Sequence, residues 1–153
     1  MTYELLNGLA SAEVEQVLEL GSRLIVPSGT PLFRLGEPAD RLYLTTRGRL
    51  RLSLPMQIRG QEQNILTEEI APGQTAGWSA LIPPHLFTLT ATALLETEVI
   101  ALPREALHTY FAAHPAAGCT IAQNLAVVIG HRLQMFQTMW LREMQRTVEV
   151  HSA

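Results

Sequence analysis

Few residues of this chain have side chains suited to covalent or metal chemistry, and their positions limit what that chemistry is. Ser79 stands in "GWSAL", one residue short of the G-x-S-x-G turn that exposes a nucleophilic serine, with His85 a little further along. Leu81 holds the place of the second glycine, so an acyl-transfer reading of Ser79 and His85 lacks its turn. A metal site on strands needs two or three histidines converging with a carboxylate. The histidines here are His85, His108, His114, His131 and His151, with no H-x-H pair and most of them late in the chain. The single cysteine, Cys119, excludes an internal disulfide or a thiolate cluster built from one chain, and reads as a small buried apolar residue. Every basic residue is arginine and Asp40 is the only aspartate, which removes phosphate-loop lysines, Schiff-base lysines and aspartate dyads.

What remains is the stretch "GWSALIPPHLFT", residues 77–88, lying between two strand-like runs and carrying a Gly, a Trp, a Ser and a Pro-Pro pair. The elements around it are read from hydrophobic period. Residues 3–20 predict helix, with Leu5, Leu6, Leu9, Val14, Val17 and Leu18 at helical spacing and Gly21 as the stop. From Ser22 the period falls to two. Short apolar runs alternate with turn residues through "RLIVPSGT", "PLFRLGEPAD", "RLYLTTRG", "RLRLSLPM", "NILTEEIAPG", "FTLTATAL" and "ETEVIALP", the pattern of an all-β roll or sandwich. In "RGRLRLSL", Leu50, Leu52 and Leu54 share one face and Arg47, Arg49 and Arg51 the other; the Arg row reads as a solvated face, or as a surface for an anion or an acidic partner.

Past "ALPREALHTYFAAHP" the period returns to 3.6, Pro115 suits a first helical position, and one pattern runs from about Ala116 to about Val148. Such a helix is on the order of 50 Å long and must project beyond the roll. Ala122, Ala126, Ile129, Leu133, Phe136, Trp140 and Met144 make an apolar stripe along it, expected to be a homodimer seam centred on Ile129, Leu133, Phe136 and Trp140. The length suits one domain over 1–153, with N-terminal helices at 1–21, a β-roll at 22–103 and C-terminal helices at 104–150. A net charge of −3 argues against a general nucleic-acid surface. No run is long and apolar enough for a membrane span, and Glu4 stands where a leader would carry positive charge, so the expected location is the cytoplasm.

Helix, glycine-studded roll, long helix: the chain resembles the cyclic-nucleotide-binding domain family, in particular regulators of the bacterial catabolite-activator type. The resemblance rests on "VPSGTPLFRLGEPADRLYLTTRGRLRL", with Gly29, Gly36 and Gly48 at turns, and on "IAPGQTAGWSAL", "ETEVIALPREAL" and "VIGHRLQ". It implies an α+β, mainly β fold with an N-terminal helix, a double-stranded β-helix jelly roll and a long C-terminal dimerisation helix. It also implies that the 77–88 stretch is the phosphate-binding cassette, where a Gly-Glu pair opens a one-turn helix and an Arg, then a hydroxyl residue, follow. Exposed N–H groups and the Arg hold the cyclic phosphate, and the Glu takes the ribose hydroxyl.

Laid on that pattern, Gly77 is kept, Trp78 falls at the Glu position, Phe87 at the Arg position and Thr88 at the hydroxyl position. After "HRLQ" the long helix offers Met135, Phe136 and Gln137 in place of hydroxyls for the base. The expectation is a ligand-sensing or regulatory domain, not an enzyme, with a degenerate cassette at Gly77, Trp78, Ser79, Ala80, Phe87 and Thr88 that does not hold cyclic AMP or cyclic GMP tightly. That pocket could still take a cyclic nucleotide weakly, or another small anionic or apolar ligand. The alternatives are an interaction protein with a closed pocket and a regulatory protein partner, and a haem-based sensor with His131 or Cys119 as axial ligand. A helix-turn-helix has no room in "TVEVHSA", so direct DNA binding is not expected.

Overall fold

The computed structural model describes residues 1–152, with residues 66, 67 and 152 as backbone alone. A 3₁₀ turn at Glu4–Leu6 and a helix, α1, at Ser11–Glu19 open the chain. Eight strands follow: β1 Ser22–Val26, β2 Pro31–Phe33, β3 Arg41–Arg47, β4 Leu50–Ile58, β5 Gln61–Ile70, β6 Thr75–Ala76, β7 Thr90–Ala93 and β8 Thr97–Pro103. Two helices close it, α2 at Arg104–Ala113 and α3 at Pro115–Ser152. The strands form two four-stranded antiparallel sheets, ordered β1-β8-β3-β6 and β2-β7-β4-β5. This is the jelly-roll-like, mainly β architecture expected, with the long C-terminal helix in place.

The strand period of two becomes the core directly. On β4, Leu50 and Leu52 are buried with the exposed Arg51 between them, whereas β3 and β8 are buried on both faces, with Leu42, Leu44, Val99 and Leu102 at 0% exposure, and Ile70 of β5 is buried as well. Leu54 is only half-buried, because β4 beyond Ser53 has left β7 and continues paired to β5 alone. The Arg face is solvated, as one reading had it. Arg47 and Arg49 lie opposite Glu96 and Glu69 at 3.9 and 3.4 Å, exposed ion pairs of small energetic weight. Gly29, Gly36 and Gly48 all take positive φ at turns. At Gly48 the demand is steric as well, since a Cβ would stand 2.6 Å from the Thr97 backbone.

The single N-terminal helix predicted over 3–20 is broken. Gly8 adopts φ +89° after an extended Asn7, which no continuous helix accommodates, and α1 restarts at Ser11 with Glu13 accepting a bond from the Ala10 N–H at 3.1 Å. Leu5 and Leu6 are nevertheless buried, under α3. There the Asn124 amide donates to the carbonyls of Leu5 and Asn7, both at 2.8 Å. The inward face of α3 is Ala117, Ile121, Leu125 and Val128. At 38 residues it is about 57 Å long, and nearly every residue past Phe136 is exposed. No described helix is long and apolar enough to cross a membrane.

The edge of the first sheet carries a carboxylate network. Glu98 accepts from the Thr46 hydroxyl at 2.7 Å and from Arg23 at 3.1 Å. The Thr46 hydrogen bond, assisted by Arg23 and Arg47, holds the Glu98 carboxyl below its ordinary value of 4.5. The stability this contributes is therefore complete above that value and is lost as pH falls through the depressed folded one. Thermal melts from pH 7 to pH 3 should show a shallower acid-induced drop in Glu98→Gln than in the wild type; coincident slopes would remove Glu98 from the acid response.

Candidate functional site

The 77–88 stretch folds as a cradle at the junction of the two sheets and α3. Gly77 has φ +81° and ψ +36°, and turns the chain from β6 into a one-turn 3₁₀ helix, Trp78–Leu81. The space there is tight as well: a Cβ would lie 3.2 and 3.3 Å from the Phe87 and Tyr43 rings and 3.4 Å from the Arg41 carbonyl. Ser79 and Ala80 are buried, Trp78 is half-buried against the core, and Thr88 is exposed.

The return leg of the loop is stitched to the β2–β3 turn. The Phe87 carbonyl accepts from Gly36 N–H at 2.8 Å, the Phe87 N–H donates to Glu37 O at 3.0 Å, and Ala39 N–H donates to His85 O at 2.8 Å. The turn is itself fixed by Glu37, whose carboxylate accepts from the Arg34 N–H at 2.6 Å. Arg104, the first residue of α2, donates to Ala39 O at 2.6 Å and to Ala80 O at 3.3 Å, so one guanidinium ties the cradle helix to the same turn. Sequence reasoning passed over Arg104; only the pairing of β3 with β8 brings it there.

So anchored, Phe87 is held face to face with Phe33, the ring centroids 3.9 Å apart and the planes within 10°. Tyr43 stacks behind Phe33 at 5.9 Å, where burial pushes its phenol above 10.0 despite the opposing charge of Arg41. Lined by Phe33 and Phe87 with Gly77, Trp78, Ser79, Thr88, Leu89 and Leu52, the cavity measures about 10 Å³, room for one water at most. All six residues named from the sequence therefore lie together, Gly77, Trp78, Ser79, Phe87 and Thr88 around the cavity and Ala80 behind them.

One wall of that cavity was not foreseen. Arg132 of α3 reaches it with only 8% of its surface exposed. Its Nε approaches the Glu68 carboxylate of β5 at 3.2 Å, without hydrogen-bond alignment, and its NH2 lies 3.5 Å from the Thr75 carbonyl. Neither the Nε nor the facing Glu68 oxygen has a hydrogen-bond partner among the described residues, and the Thr75 and Thr45 hydroxyls are similarly unsatisfied. Burial pulls the Arg132 guanidinium below its usual range, opposed by Glu68 and Glu4. A sequence signal existed: position 132 continues the inward series 121, 125, 128 at helical spacing.

The other readings fare differently. His85 sits beside the cradle, but its Nδ1 meets the Ser79 carbonyl oxygen at 3.2 Å, so that nitrogen is engaged with backbone and not with the serine hydroxyl. Cys119 is exposed, contrary to its reading as a buried apolar residue, because α3 turns Ala117 and Ile121 inward and 119 outward. His131 is exposed as well, next to the buried Arg132. Of the seam residues, Leu133 and Trp140 are 57% and 64% exposed, while Ile129 and Phe136 pack partly against the core.

Comparison with known proteins agrees with this geometry. Residues 23–114 match the family model described as "Cyclic nucleotide-binding domain". The Cyclic AMP receptor protein of Thermus thermophilus is 32% identical over 130 residues, which are 85% of this chain and 57% of that protein. A CRP-like cAMP-activated global transcriptional regulator of Mycobacterium tuberculosis is 29% identical over 108 residues, 71% of this chain and 45% of that one. The chain thus spans about half the length of these curated relatives. The crystal structure of the Thermus thermophilus Catabolite Activator Protein superposes with a TM-score of 0.71 at 30% identity, covering 97% of this chain and 63% of that one. The mainly β roll and the long closing helix agree with the fold of these relatives, and this chain belongs to the cyclic-nucleotide-binding domain family.

Proposed function

We propose that this chain is a regulatory domain of the cyclic-nucleotide-binding fold whose phosphate cradle is degenerate, and that it works as a homodimer joined along α3. One observation carries the first part: Phe87, at the place the family resemblance gives to the phosphate-holding Arg, is 5% exposed and packed on Phe33, and leaves a cavity of about 10 Å³. A hydrogen bond to a charged group is worth about 1.5–3 kcal/mol. Losing an Arg to the phosphate and a Glu to the ribose lowers affinity by a hundredfold or more. The aromatic pair adds its own resistance, since stacking contributes about 0.5–1.5 kcal/mol beyond burial.

The second part is supported by the exposed apolar length of α3. Leu133, Trp140, Leu141 and Met144 stand 45–64% exposed on a helix that has left the roll behind, and a monomer gains nothing by showing them to water. The two-sheet roll buries its own core without them. Closure of the cavity also favours the reading of a pure interaction module, in which a regulatory protein partner reads α3 or the Arg face and no ligand enters.

Two measurements separate these. Calorimetric titration with cyclic AMP and with cyclic GMP should give no dissociation constant tighter than about 100 μM, and submicromolar binding of either would overturn the degenerate cradle. Light scattering should find the wild type dimeric and Trp140→Asp monomeric with an unaltered circular dichroism spectrum; an unchanged mass would sink the seam.

A further inference from the structure

The end of α1 and the outer face of α2 leave a groove of about 470 Å³ between them. Its floor is Tyr110, only 7% exposed, with the His114 ring stacked on it at 4.3 Å. The Tyr110 hydroxyl donates to the Gln16 side chain of α1 at 2.9 Å, which fixes the two helices to each other along this line. Leu20 closes one side, and Ala106, Thr109 and Ala113 run along the other at helical spacing. From Glu105 to His114 the lining extends about 14 Å along α2. Glu105, Thr109, Ala113 and His114 are all exposed, so the described chain leaves the groove open. Acid stands on both rims. Glu105 lines one, and Glu13 shares a face of α1 with Gln16 and Leu20 at spacings of three and four. Burial pushes the Tyr110 phenol above 10.0, and the nearby Glu13 carboxylate adds to that push. The charged residues of α1 are Glu13, Glu15 and Glu19, and the one arginine of α2, Arg104, is turned to the Ala39 and Ala80 carbonyls. With Glu105 these carboxylates exceed the whole net charge of the chain, −3, so its negative excess is concentrated at this corner.

We propose that this groove docks a basic amphipathic helix of a partner protein. The apolar face of such a helix, with anchors at i, i+3 or i+4 and i+7, lies over Tyr110 between Leu20 and the two alanines. Its flanking lysines or arginines meet Glu105 on one rim and Glu13 on the other. Charge selects this occupant: an acidic helix is repelled by both rims, and a neutral one covers Glu105 without giving it a partner. An anionic membrane surface is repelled for the same reason. The groove shares no lining residue with the cradle cavity and takes none from α3, so the assignment stands apart from both the degenerate cradle and the helix seam.

The test is a fluorescence-anisotropy titration of the full chain against a labelled synthetic peptide of about 14 residues, with leucines at helical spacing on one face and lysines on its flanks. The wild type should bind it with a dissociation constant on the order of 10–100 μM, weakening as ionic strength rises. The same peptide with glutamate in place of lysine should not bind. Glu105→Lys should weaken binding at least tenfold, and Thr109→Arg, which sets a long cation in the middle of the groove, should abolish it, both with an unaltered circular dichroism spectrum. Thr109→Ala, which only widens the groove, should bind as the wild type does. In an NMR titration the amide shift changes should fall on α2 and the end of α1. No binding up to about 1 mM, equal binding of the acidic peptide, or undiminished binding by Thr109→Arg would each overturn the site. Shift changes centred on α3 beyond Phe136 would assign the peptide to the exposed stripe and overturn it as well.

Discussion

The packing of Phe87 on Phe33 is the contact around which the site is arranged. At 3.9 Å between centroids the two rings leave no layer between them. The Phe87 N–H and carbonyl are pinned to Glu37 and Gly36, which fixes the backbone from which the ring projects. Gly77 packs tightly beside Phe87 and Tyr43, and its φ of +81° is one that glycine adopts without strain. At the position where the family resemblance expects an arginine, the scaffold presents one aromatic face to another. The backbone of the cradle is held as well by turns, by Arg104 and by strand pairing.

A second constraint comes from α3, which belongs half to the roll and half to solvent. Ala117, Ile121, Leu125 and Val128 complete the core beneath the N-terminal turn, and Asn124 fixes the register through the carbonyls of Leu5 and Asn7. At Arg132 the inward face turns polar. Beyond Phe136 the helix runs on with most of its apolar side chains exposed. Core, cradle wall and exposed stripe thus lie on one continuous helix.

Much of this was legible in the sequence because it depends on local period. Alternation placed Leu50 and Leu52 inside and Arg47 and Arg51 outside, and the return to a 3.6 period placed the long helix. The cassette residues were found together because they are contiguous or nearly so along one loop. What escaped notice depended on positions far apart in the chain. Arg104 reaches Ala39 and Ala80 only because β3 pairs with β8, and Arg132 meets Glu68 only because α3 lies across β5. Arginine at a helical position reads as solvent-facing on composition, though its spacing from Val128 said otherwise. The break at Gly8 was hidden by apolar residues on either side that are buried for different reasons, Leu5 and Leu6 under α3 and Val17 from α1.

The central claim is that this cradle keeps the family's backbone and lacks only its two charged anchors. Returning them tests it most directly: Trp78→Glu/Phe87→Arg, confirmed folded by circular dichroism and titrated calorimetrically with cyclic AMP. Restoring two charged hydrogen bonds should tighten binding by at least a hundredfold over the wild type. A folded double variant that binds cyclic AMP no better than the wild-type chain would contradict it.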